Sequence, residues 1–304
     1  MEGDVHIDAH IGAHVDAQID VPPAWERITI SALSGLVLVF GAPDTGKSTL
    51  ARYLYRRLRA HHERVAFVDG DVGQATLGPP TTMTLVLGKP GDDGFPPAGA
   101  RFRSFVGAVS PRGHMLPTLV GAHRLVRKAR REGSSVILFD TTGLVDPAHG
   151  GGALKQAKVE LLRPSVVVGL QRTSGLEYLL VPLRRSRRTR VIDLPASRAA
   201  RRRDVLTRRE HRAARFRRYF EGAHALEVAW SRLAVFPSPS FTLQRLVALE
   251  DSDGFVRGLG IVVGRDRARN TVTLYTPLRS LDDVDAIRLG DVALDPRTFR
   301  DARL

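Results

Sequence analysis

The chain has 304 residues, of which 43% are hydrophobic, and a formal net charge of +14. This length predicts about two domains, and the apolar content is enough for a substantial core. The absence of cysteine excludes disulfides, thiolate zinc sites and cysteine nucleophiles. Because no apolar run approaches the ~20 residues of a membrane span and no signal-peptide pattern is present, we expect a soluble cytoplasmic protein that does not bind membranes.

The positive charge is concentrated between Arg184 and Arg218. This segment contains fifteen arginines and only three acidic residues, a local net charge of +12, so the rest of the chain carries only +2. The chain prefers arginine to lysine throughout, with 41 against 5, and that bias by itself indicates nothing about function. The clustering does, because charge concentrated in one segment favours binding to a polyanion or to phosphate groups.

The first element in chain order is an N-terminal leader or edge strand, predicted over residues 1–26. Within it, residues 5–20 contain several histidine and acidic side chains, which are of the kinds that bind metal ions. These side chains show no fixed ligand spacing, which favours the leader over a metal site.

Residues 27–226 alternate between apolar strands and amphipathic helices. The main predicted strands cover residues 35–40, 64–69, 134–140, 165–170 and 189–194, and the predicted helices cover residues 47–60, 115–131, 153–162 and 175–185. Two further strands, "TTMTLVLG" and "RFRSFVGAVS", flank a loop rich in glycine and proline at residues 89–100. The alternation predicts an α/β domain with a parallel sheet and helices on both of its faces.

Residues 227–304 follow a different pattern. The sequence alternates with period two between Asp-Gly and Arg-Asn turns, which predicts a small C-terminal antiparallel β domain. The stretch "DSDG" at residues 251–254 has some likeness to a calcium-binding loop. It lacks the glycine spacing and the final glutamate of such a loop, so we interpret it as a hairpin turn.

A phosphate-binding loop lies between the first strand and the first helix of the α/β domain. The sequence "GAPDTGKST" matches G-x-x-x-x-G-K-[ST] in full, and the strand before it and the helix after it are the context that this motif requires. Lys47 is predicted to reach the β- and γ-phosphates and Ser48 to hold Mg²⁺, while backbone N–H groups surround the phosphates. The predicted nucleotide-binding residues are Gly41, Asp44, Thr45, Gly46, Lys47, Ser48 and Thr49. The α/β domain is therefore predicted to be a P-loop NTPase domain.

Acidic residues end two of the predicted strands. Asp140 ends "VILFD" and is predicted to be a second residue on the Mg²⁺ side of the site, the alternative being an aspartate that caps a helix. Asp69 and Asp71 end the strand after the P-loop helix and so face the phosphate edge of the sheet. A carboxylate there can deprotonate a hydroxyl aimed at the γ-phosphorus or hold a water bound to Mg²⁺. Two acids, Gln74 and a stiff Gly-Pro-Pro turn favour an acceptor-binding site over simple hydrolysis.

The arginine cluster falls on a further predicted helix, within a segment at about residues 196–220 that we call the lid. One stripe of this helix is apolar and consists of Leu206, Ala213, Phe216 and Phe220. Another stripe consists of Arg201, Arg208, Arg212 and Arg215, at spacings of seven, four and three. A mobile Arg-rich helix that closes over the γ-phosphate would stabilise charge during phosphoryl transfer, because each guanidinium donates to two phosphate oxygens. The alternative is a solvated helix face.

Together these motifs resemble the P-loop polynucleotide 5′-hydroxyl kinases of the cleavage-factor and pre-ribosomal-RNA-processing type, in their short prokaryote-like form. The resemblance covers about Trp25 to Leu294. It rests on "GAPDTGKSTL", "VDGDVGQATLGPPTT", "VGAVSPRGH", "FDTTGLV", "LKQAKVELLRPSVVVGLQ", the Arg-rich run that ends in "RRYF", and the "DSDGFVRGLGIV" module. The combination of the P-loop with D-x-D-x-G-Q-x-x-x-G-P-P-T is specific, and neither half is specific alone.

The resemblance implies a role for several residues. Lys47 and Ser48 correspond to the P-loop phosphate and metal residues, Asp71 to the acid that activates the 5′-hydroxyl, and Gln74 to a neighbouring glutamine near the acceptor. The implied catalytic residues are Lys47, Asp71, Arg208 and Arg212, the implied metal residues are Ser48, Asp71 and Asp140, and the implied acceptor-binding residues are Asp69, Gln74, Ser110 and His114. The last two lie in "SPRGH", residues 110–114, where the family has a short clasp; this sequence departs there from the family's usual Thr-x-Asn form.

The sequence therefore predicts a kinase that uses ATP or another NTP, with Mg²⁺, to phosphorylate the 5′-hydroxyl end of single-stranded RNA or DNA. Two alternatives stay open: a kinase of small metabolites or nucleosides, and an ATP-responsive RNA-binding scaffold protein without catalysis. The intact Lys47, Ser48, Asp71 and Asp140 favour catalysis, and the +12 segment favours a polynucleotide acceptor. No motif identifies a protein partner.

Overall fold

The structure is a computed structural model that describes residues 21–92 and 94–304. The predicted leader over residues 1–26 lies outside the described residues except for residues 21–26, and the histidines and acids of residues 5–20 lie outside them entirely. The described part begins with a single helical turn, α1 (Pro23–Glu26), whose Trp25 is fully buried in the first core.

The first sheet has seven strands and matches the α/β prediction closely. Its strands are β1 (Gly35–Gly41), β2 (Val65–Gly70), β3 (Thr82–Leu87), β4 (Arg101–Phe105), β5 (Val136–Thr141), β6 (Val166–Gln171) and β7 (Arg190–Pro195), in the spatial order β4-β3-β2-β5-β1-β6-β7. Strands β2, β5, β1, β6 and β7 are parallel to their neighbours in that order. All five end at the edge where the P-loop begins.

One strand departs from the parallel arrangement that the sequence predicts. Strand β3 runs antiparallel to both β2 and β4, so the sheet is mixed. The reversal follows from the buried Gly-Pro-Pro-Thr-Thr stretch at residues 78–82, where the Thr81 backbone is left-handed and its carbonyl accepts from Val106 and Gly107. The stiff turn therefore returns the chain into the sheet.

Helices cover both faces of this sheet. On one face, α2 (Lys47–Arg59) buries Leu50, Leu54 and Leu58 against the strands. On the other face lie α3 (Met115–Arg131), α4 (Gly151–Leu162) and α5 (Glu177–Arg184), whose apolar residues join the second core cluster. The two cores fix the strand ends relative to one another, which gives a rigid edge for the phosphate site. Within residues 21–92 and 94–304, none of the helices has the length and apolar character needed to cross a membrane.

The second sheet is formed by β8 (His224–Ala229), β9 (Ala234–Phe236), β10 (Arg245–Glu250), β11 (Val256–Asp266), β12 (Thr271–Thr276), β13 (Ala286–Leu294) and β14 (Asp301–Arg303). All of its pairings are antiparallel except that of β9 with β13. "DSDG" lies between β10 and β11, and Gly254 N–H donates to the Asp251 carbonyl at 2.9 Å, as expected of a hairpin turn.

The lid helix, α6 (Val205–Tyr219), lies between the two sheets. Its Asp204 caps the N-terminus by accepting from Thr207 N–H at 2.7 Å. Ala213, Phe216 and Phe220 are buried, as the apolar stripe predicts, but Leu206 is 67% exposed because the packed part of the helix begins a turn later. The C-terminal half of the lid is therefore anchored on the second sheet, whereas its first turns contact the P-loop domain through Arg208.

Candidate active site

The P-loop follows β1 directly and wraps around the start of α2. A side chain at Gly41 would collide with the Thr45 hydroxyl and the Leu170 carbonyl, and Gly46 adopts a left-handed backbone with φ +93°. Both glycines are therefore required by the path of the loop. Thr45 Oγ1 donates to the Ala42 carbonyl at 3.0 Å, which closes the turn.

Lys47 is buried at the base of the loop, where its Nζ donates to the Ala42 carbonyl at 2.7 Å. Burial lowers its pKa, against the opposing effect of the Asp140, Asp71 and Asp44 carboxylates. The residue is thus placed among the acids that the sequence assigned to catalysis and metal binding.

Asp140 and Ser48 form the predicted metal side of the site. Asp140 pairs with Val39 of β1 and with Asp69 of β2 in the sheet register, so the two acids lie side by side. Ser48 donates a hydrogen bond to the Asp140 carboxylate, while Asp140 Oδ1 is buried without a hydrogen-bond partner. Burial, and secondarily the Asp69 charge, raises the pKa of Asp140 to about 7. A buried carboxylate oxygen that lacks a partner beside the P-loop serine is suited to a divalent cation.

Asp69 does not have the exposed position that acceptor binding requires. It is 2% exposed, and its Oδ2 accepts from Thr76 N–H at 2.6 Å, Thr76 Oγ1 at 3.1 Å and Leu77 N–H at 2.8 Å. Its Oδ1 accepts from Asp71 N–H at 3.3 Å. Burial raises its pKa despite these bonds. In this structure Asp69 holds the loop of residues 71–77 in place, and its role in acceptor binding stays a prediction.

Asp71 is the partly exposed acid at this strand end. Its Oδ1 accepts from Gly73 N–H and Gln74 N–H, both at 3.0 Å, so the backbone orients the carboxylate. Gln74 Nε2 donates to the Gly73 carbonyl at 2.9 Å and to the Arg208 carbonyl at 3.3 Å, and its Oε1 has no partner. Gln74 therefore joins the loop that carries Asp71 to the lid.

The predicted clasp lies beside this loop. A side chain at Gly73 would come within 2.5 Å of the Val109 carbonyl, which places the backbone next to Ser110 against the Asp71 loop. Ser110 is exposed, and its Oγ accepts from Arg112 N–H at 3.2 Å. His114 is half-buried, and its Nε2 lies 3.3 Å from Asp291 of the second sheet. Ser110 is therefore accessible to solvent, whereas His114 contacts Asp291 of β13.

Two lid arginines reach the P-loop. Arg208 Nη2 lies 2.5 Å from Asp44 Oδ2, and Arg203 Nε lies 3.2 Å from Asp44 Oδ1. Asp44 is 4% exposed at its side chain. Burial would raise its pKa, but the hydrogen bonds from Arg208 and Arg203 lower it. The prediction that Arg208 lies at the phosphate end is consistent with this position, and Arg203 joins it there.

Arg212 lies elsewhere. Its Nε and Nη2 donate to the two carboxylate oxygens of Asp301 in β14, at 2.8 and 3.0 Å. The structure therefore places Arg212 against the second sheet and not at the P-loop, and its catalytic role stays a prediction. A helical period of 3.6 places residues 208 and 212 on one face of α6. This face contacts the P-loop near residue 208 and the second sheet near residue 212.

Sequence patterns missed several residues that the fold brings to the site. His211 of the lid lies over the Asp71 loop, 3.3 Å from the Ala75 carbonyl, and burial lowers its pKa. Arg172 Nη2 donates to the carbonyls of Asp44 at 2.8 Å and of Ala200 at 2.7 Å, which joins the P-loop to the lid segment. No local motif marks either residue, because both act across long sequence separations.

Helix α4 contributes two fully buried lysines that the sequence analysis did not single out. Lys155 Nζ donates to Thr141 Oγ1 and to the Thr142 carbonyl, and it lies over the Phe40 ring. Lys158 Nζ lies 4.9 Å from the centre of the Phe139 ring and has no hydrogen-bond partner. Burial lowers the pKa of Lys155 well below its usual value and that of Lys158 to about 8. Both side chains lie beneath the strand ends that carry the P-loop and Asp140.

Comparison with known proteins identifies the family. Residues 41–222 match the family model described as mRNA cleavage and polyadenylation factor CLP1 P-loop. The chain belongs to this CLP1 P-loop family. The matched residues include every predicted site residue from the P-loop to the lid. Because the relatives in this family are kinases with a P-loop, membership implies that the chain uses a nucleotide.

Relatives from archaea and vertebrates support the assignment. The chain is 25% identical to the polyribonucleotide 5′-hydroxyl-kinase of Pyrococcus furiosus, over 90% of this chain and 92% of the relative. It is 32% identical to that of Thermococcus kodakarensis, over 84% of this chain and 87% of the relative. It is 30% identical to Clp1 of Xenopus laevis, over 78% of this chain and 57% of the relative. The archaeal alignments therefore extend over the second sheet as well as the CLP1 P-loop region.

Solved structures confirm the fold. The chain superposes on wild-type Clp1p, solved in complex with Pcf11p, with a TM-score of 0.63, over 88% of this chain and 76% of Clp1p at 16% identity. A second Clp1p–Pcf11p structure, which addresses ATP loss in a point mutant, gives a TM-score of 0.64 at 14% identity. At this identity the likeness shows that the CLP1 fold is shared and no more.

Proposed function

We propose that this protein transfers the γ-phosphoryl group of ATP or another NTP to the 5′-hydroxyl end of a single-stranded polynucleotide. Its archaeal relatives are polyribonucleotide 5′-hydroxyl-kinases, which supports RNA as an acceptor. The observation that carries the proposal is the position of Asp71. One partly exposed carboxylate, oriented by two backbone N–H groups, stands at the strand end beside the P-loop, between the clasp and the lid.

The proposed chemistry is proton removal from the 5′-hydroxyl by Asp71. Its Oδ1 is engaged by Gly73 and Gln74 N–H groups, so we assign Oδ2 as the atom that takes the proton while the hydroxyl oxygen attacks the γ-phosphorus. Lys47 leaves the Ala42 carbonyl to bind the β- and γ-phosphates. Arg208 and Arg203 bind the oxygens of the transferring group, which offer the same acceptor chemistry as the Asp44 carboxylate that they now contact.

A magnesium ion fits this site. Ser48 and the partnerless Oδ1 of Asp140 are hard oxygen ligands at the phosphate edge of the sheet. Within residues 21–92 and 94–304 there is no group of three or more histidine, aspartate or glutamate side chains that would hold a metal by itself, so the nucleotide phosphates and water would complete the ligand set. When bound, the ion neutralises charge on the β- and γ-phosphate oxygens. Asp71 was also predicted as a metal residue, but its proposed role here is that of the base.

Phosphoryl transfer to three acceptors tests the proposal. We expect γ-labelled ATP to label a 5′-hydroxyl RNA oligonucleotide rapidly, a nucleoside poorly, and an oligonucleotide with a 5′-phosphate not at all. Efficient labelling of the free nucleoside would favour a small-molecule kinase. Nucleotide binding without labelling of any acceptor would favour a non-catalytic RNA-binding protein. A DNA oligonucleotide of the same sequence measures how much the 2′-hydroxyl contributes.

A further inference from the structure

The terminal hairpin of the second sheet contacts both sides of the candidate acceptor site. This hairpin consists of β13 and β14, which pair antiparallel with Leu294 opposite Asp301. One of its acids contacts the lid and another contacts the clasp. Leu304 N–H donates to the Asp291 carbonyl at 3.2 Å, so the two acids belong to one hydrogen-bonded unit.

The lid contact is a bidentate ion pair between two largely buried side chains. Arg212 donates from Nε and Nη2 to both carboxylate oxygens of Asp301, and the side chains are only 12% and 8% exposed. Paired geometry of this kind fixes the direction of the arginine as well as its distance. Because Arg208 lies one helical turn before Arg212, the pair also fixes how far Arg208 extends toward Asp44 of the P-loop.

Apolar packing continues the same anchor toward the end of α6. Phe216 and Phe220 are buried in the core cluster that contains Leu246, Leu259 and Leu294 of the second sheet. Tyr219 Oη accepts from Leu259 N–H at 2.8 Å. The C-terminal half of the lid therefore belongs mechanically to the second sheet, and the ion pair marks the point where the anchored half ends.

The clasp contact lies at the other end of the hairpin. Asp291 Oδ2 is 3.3 Å from His114 Nε2, and Asp291 N–H donates to the Gly107 carbonyl at 2.8 Å. Gly107 has φ +80°, and a side chain there would come within 3.2 Å of Gly290 Cα, so the two backbones approach as closely as glycine permits. The clasp is thereby fixed to the strand that pairs with β14.

We propose that the β13–β14 hairpin is a brace that sets the distance between lid and clasp, with Asp301 and Asp291 as positioning residues for phosphoryl transfer. This inference rests on the proposed function. It gives the second sheet a place in the reaction without direct contact with substrate. Asp301 acts on turnover, because it sets the reach of Arg208. Asp291 acts on acceptor binding, because it sets the position of the clasp.

Kinetics of single and double variants test the lid half of the brace. In Asp301→Ala and in Arg212→Ala we expect kcat to fall by about 10- to 100-fold, the effect of a displacement of about 1 Å, with the acceptor KM nearly unchanged. The kcat of the double variant should be no lower than that of the more impaired single variant, because both changes break the same contact between Arg212 and Asp301. If Arg212→Ala lowers kcat much more than Asp301→Ala, Arg212 contacts the phosphate directly and the brace is wrong.

The clasp half has its own expected signature. In Asp291→Asn the acceptor KM should rise about threefold to tenfold while kcat at saturating oligonucleotide is retained. Asp266→Asn is the matched control, because Asp266 ends β11 of the same sheet and its carboxylate contacts only Ala268 and Arg269 of the following turn among the described residues, so it should change neither constant. Equal effects of Asp291→Asn and Asp266→Asn would contradict the positioning role.

Hydrogen exchange tests the brace independently of catalysis. In Asp301→Ala we expect faster amide exchange in residues 205–212 of the lid, with unchanged exchange in α2 of the P-loop domain. Unchanged exchange in the lid would overturn the brace even if the kinase activity is present. Failure of the wild-type protein to phosphorylate any 5′-hydroxyl would instead refute the proposed function, while accelerated lid exchange would still support the brace.

Discussion

Replacing Asp71 with asparagine separates its chemistry from its structural contacts. Asparagine retains an oxygen that can accept from the Gly73 and Gln74 N–H groups, so the loop should keep its shape. The other oxygen becomes an amide NH₂, which cannot take a proton. We therefore expect Asp71→Asn to leave nucleotide binding intact and to lower kcat by about 10²–10⁴-fold, which corresponds to about 3–5 kcal/mol of transition-state stabilisation.

Asp69→Asn is the matched comparison, because the two acids are separated by one residue and differ in burial. Asp69 accepts from three N–H groups and one hydroxyl in a closed site. An amide NH₂ there would face other donors, which costs about 1–3 kcal/mol for each group left unsatisfied. Asp69→Asn should therefore lower the melting temperature, whereas Asp71→Asn should not.

The assay is transfer of labelled γ-phosphate to a 5′-hydroxyl oligonucleotide at saturating substrates, together with thermal unfolding and nucleotide titration of each variant. A near-normal turnover of Asp71→Asn would refute the assignment of the base. If Asp71→Asn lowers the melting temperature as much as Asp69→Asn does, the substitution has disrupted the loop and has not simply removed the proton acceptor.

Four further outcomes are expected. Lys47→Ala should abolish transfer, because the β/γ-phosphate contact is lost; residual turnover above background in the labelling assay would contradict this. Arg208→Ala should lower kcat by up to ~10³-fold, while Arg201→Ala, an exposed arginine, should only weaken acceptor binding and reduce its salt dependence; equal kcat values would contradict the difference. ATP should be used and GTP tolerated, because the chain has no N/T-K-x-D motif and its only asparagine is Asn270; a strict GTP requirement in a competition assay would contradict this. Lys158→Met should stabilise the protein at pH 7, because burial lowers the pKa of this lysine from 10.5 to about 8. The folded state then carries a penalty of about 3 kcal/mol, complete below pH 8 and relieved as the pH rises toward 10.5; a destabilised variant in urea unfolding at pH 7 would show that the ammonium has a stabilising partner.

The backbone of the P-loop could be predicted from the sequence because it is built locally. The P-loop needs only a strand, a glycine-rich turn and the N-terminus of a helix, and all three are encoded within residues 35–59. Asp140 was equally predictable as the last acid of a buried strand. In each case the chemistry follows from backbone geometry that neighbouring residues determine.

The acceptor side could not be predicted in the same way. Asp69 and Asp71 lie two positions apart, so strand periodicity places them on one face, yet the strand ends at Gly70 and only Asp71 emerges from the turn. The direction of β3 is likewise independent of apolar alternation, which is the same for parallel and antiparallel strands. Arg208 and Arg212 were indistinguishable because their partners, Asp44 and Asp301, are 164 and 89 residues away in the chain.

The arginines of the +12 segment fall into three groups according to what they contact, and composition alone does not distinguish these groups. Arg203 and Arg208 contact a carboxylate of the P-loop, where phosphate oxygens would replace it. Arg212 is held by Asp301, and Arg184 by Glu177 and Asp193, so their charge is already matched by the protein. Only exposed arginines such as Arg198, Arg201 and Arg202 then contribute long-range attraction for a polyanion. The salt dependence of acceptor binding should therefore reflect fewer phosphate contacts than the fifteen arginines of the segment suggest.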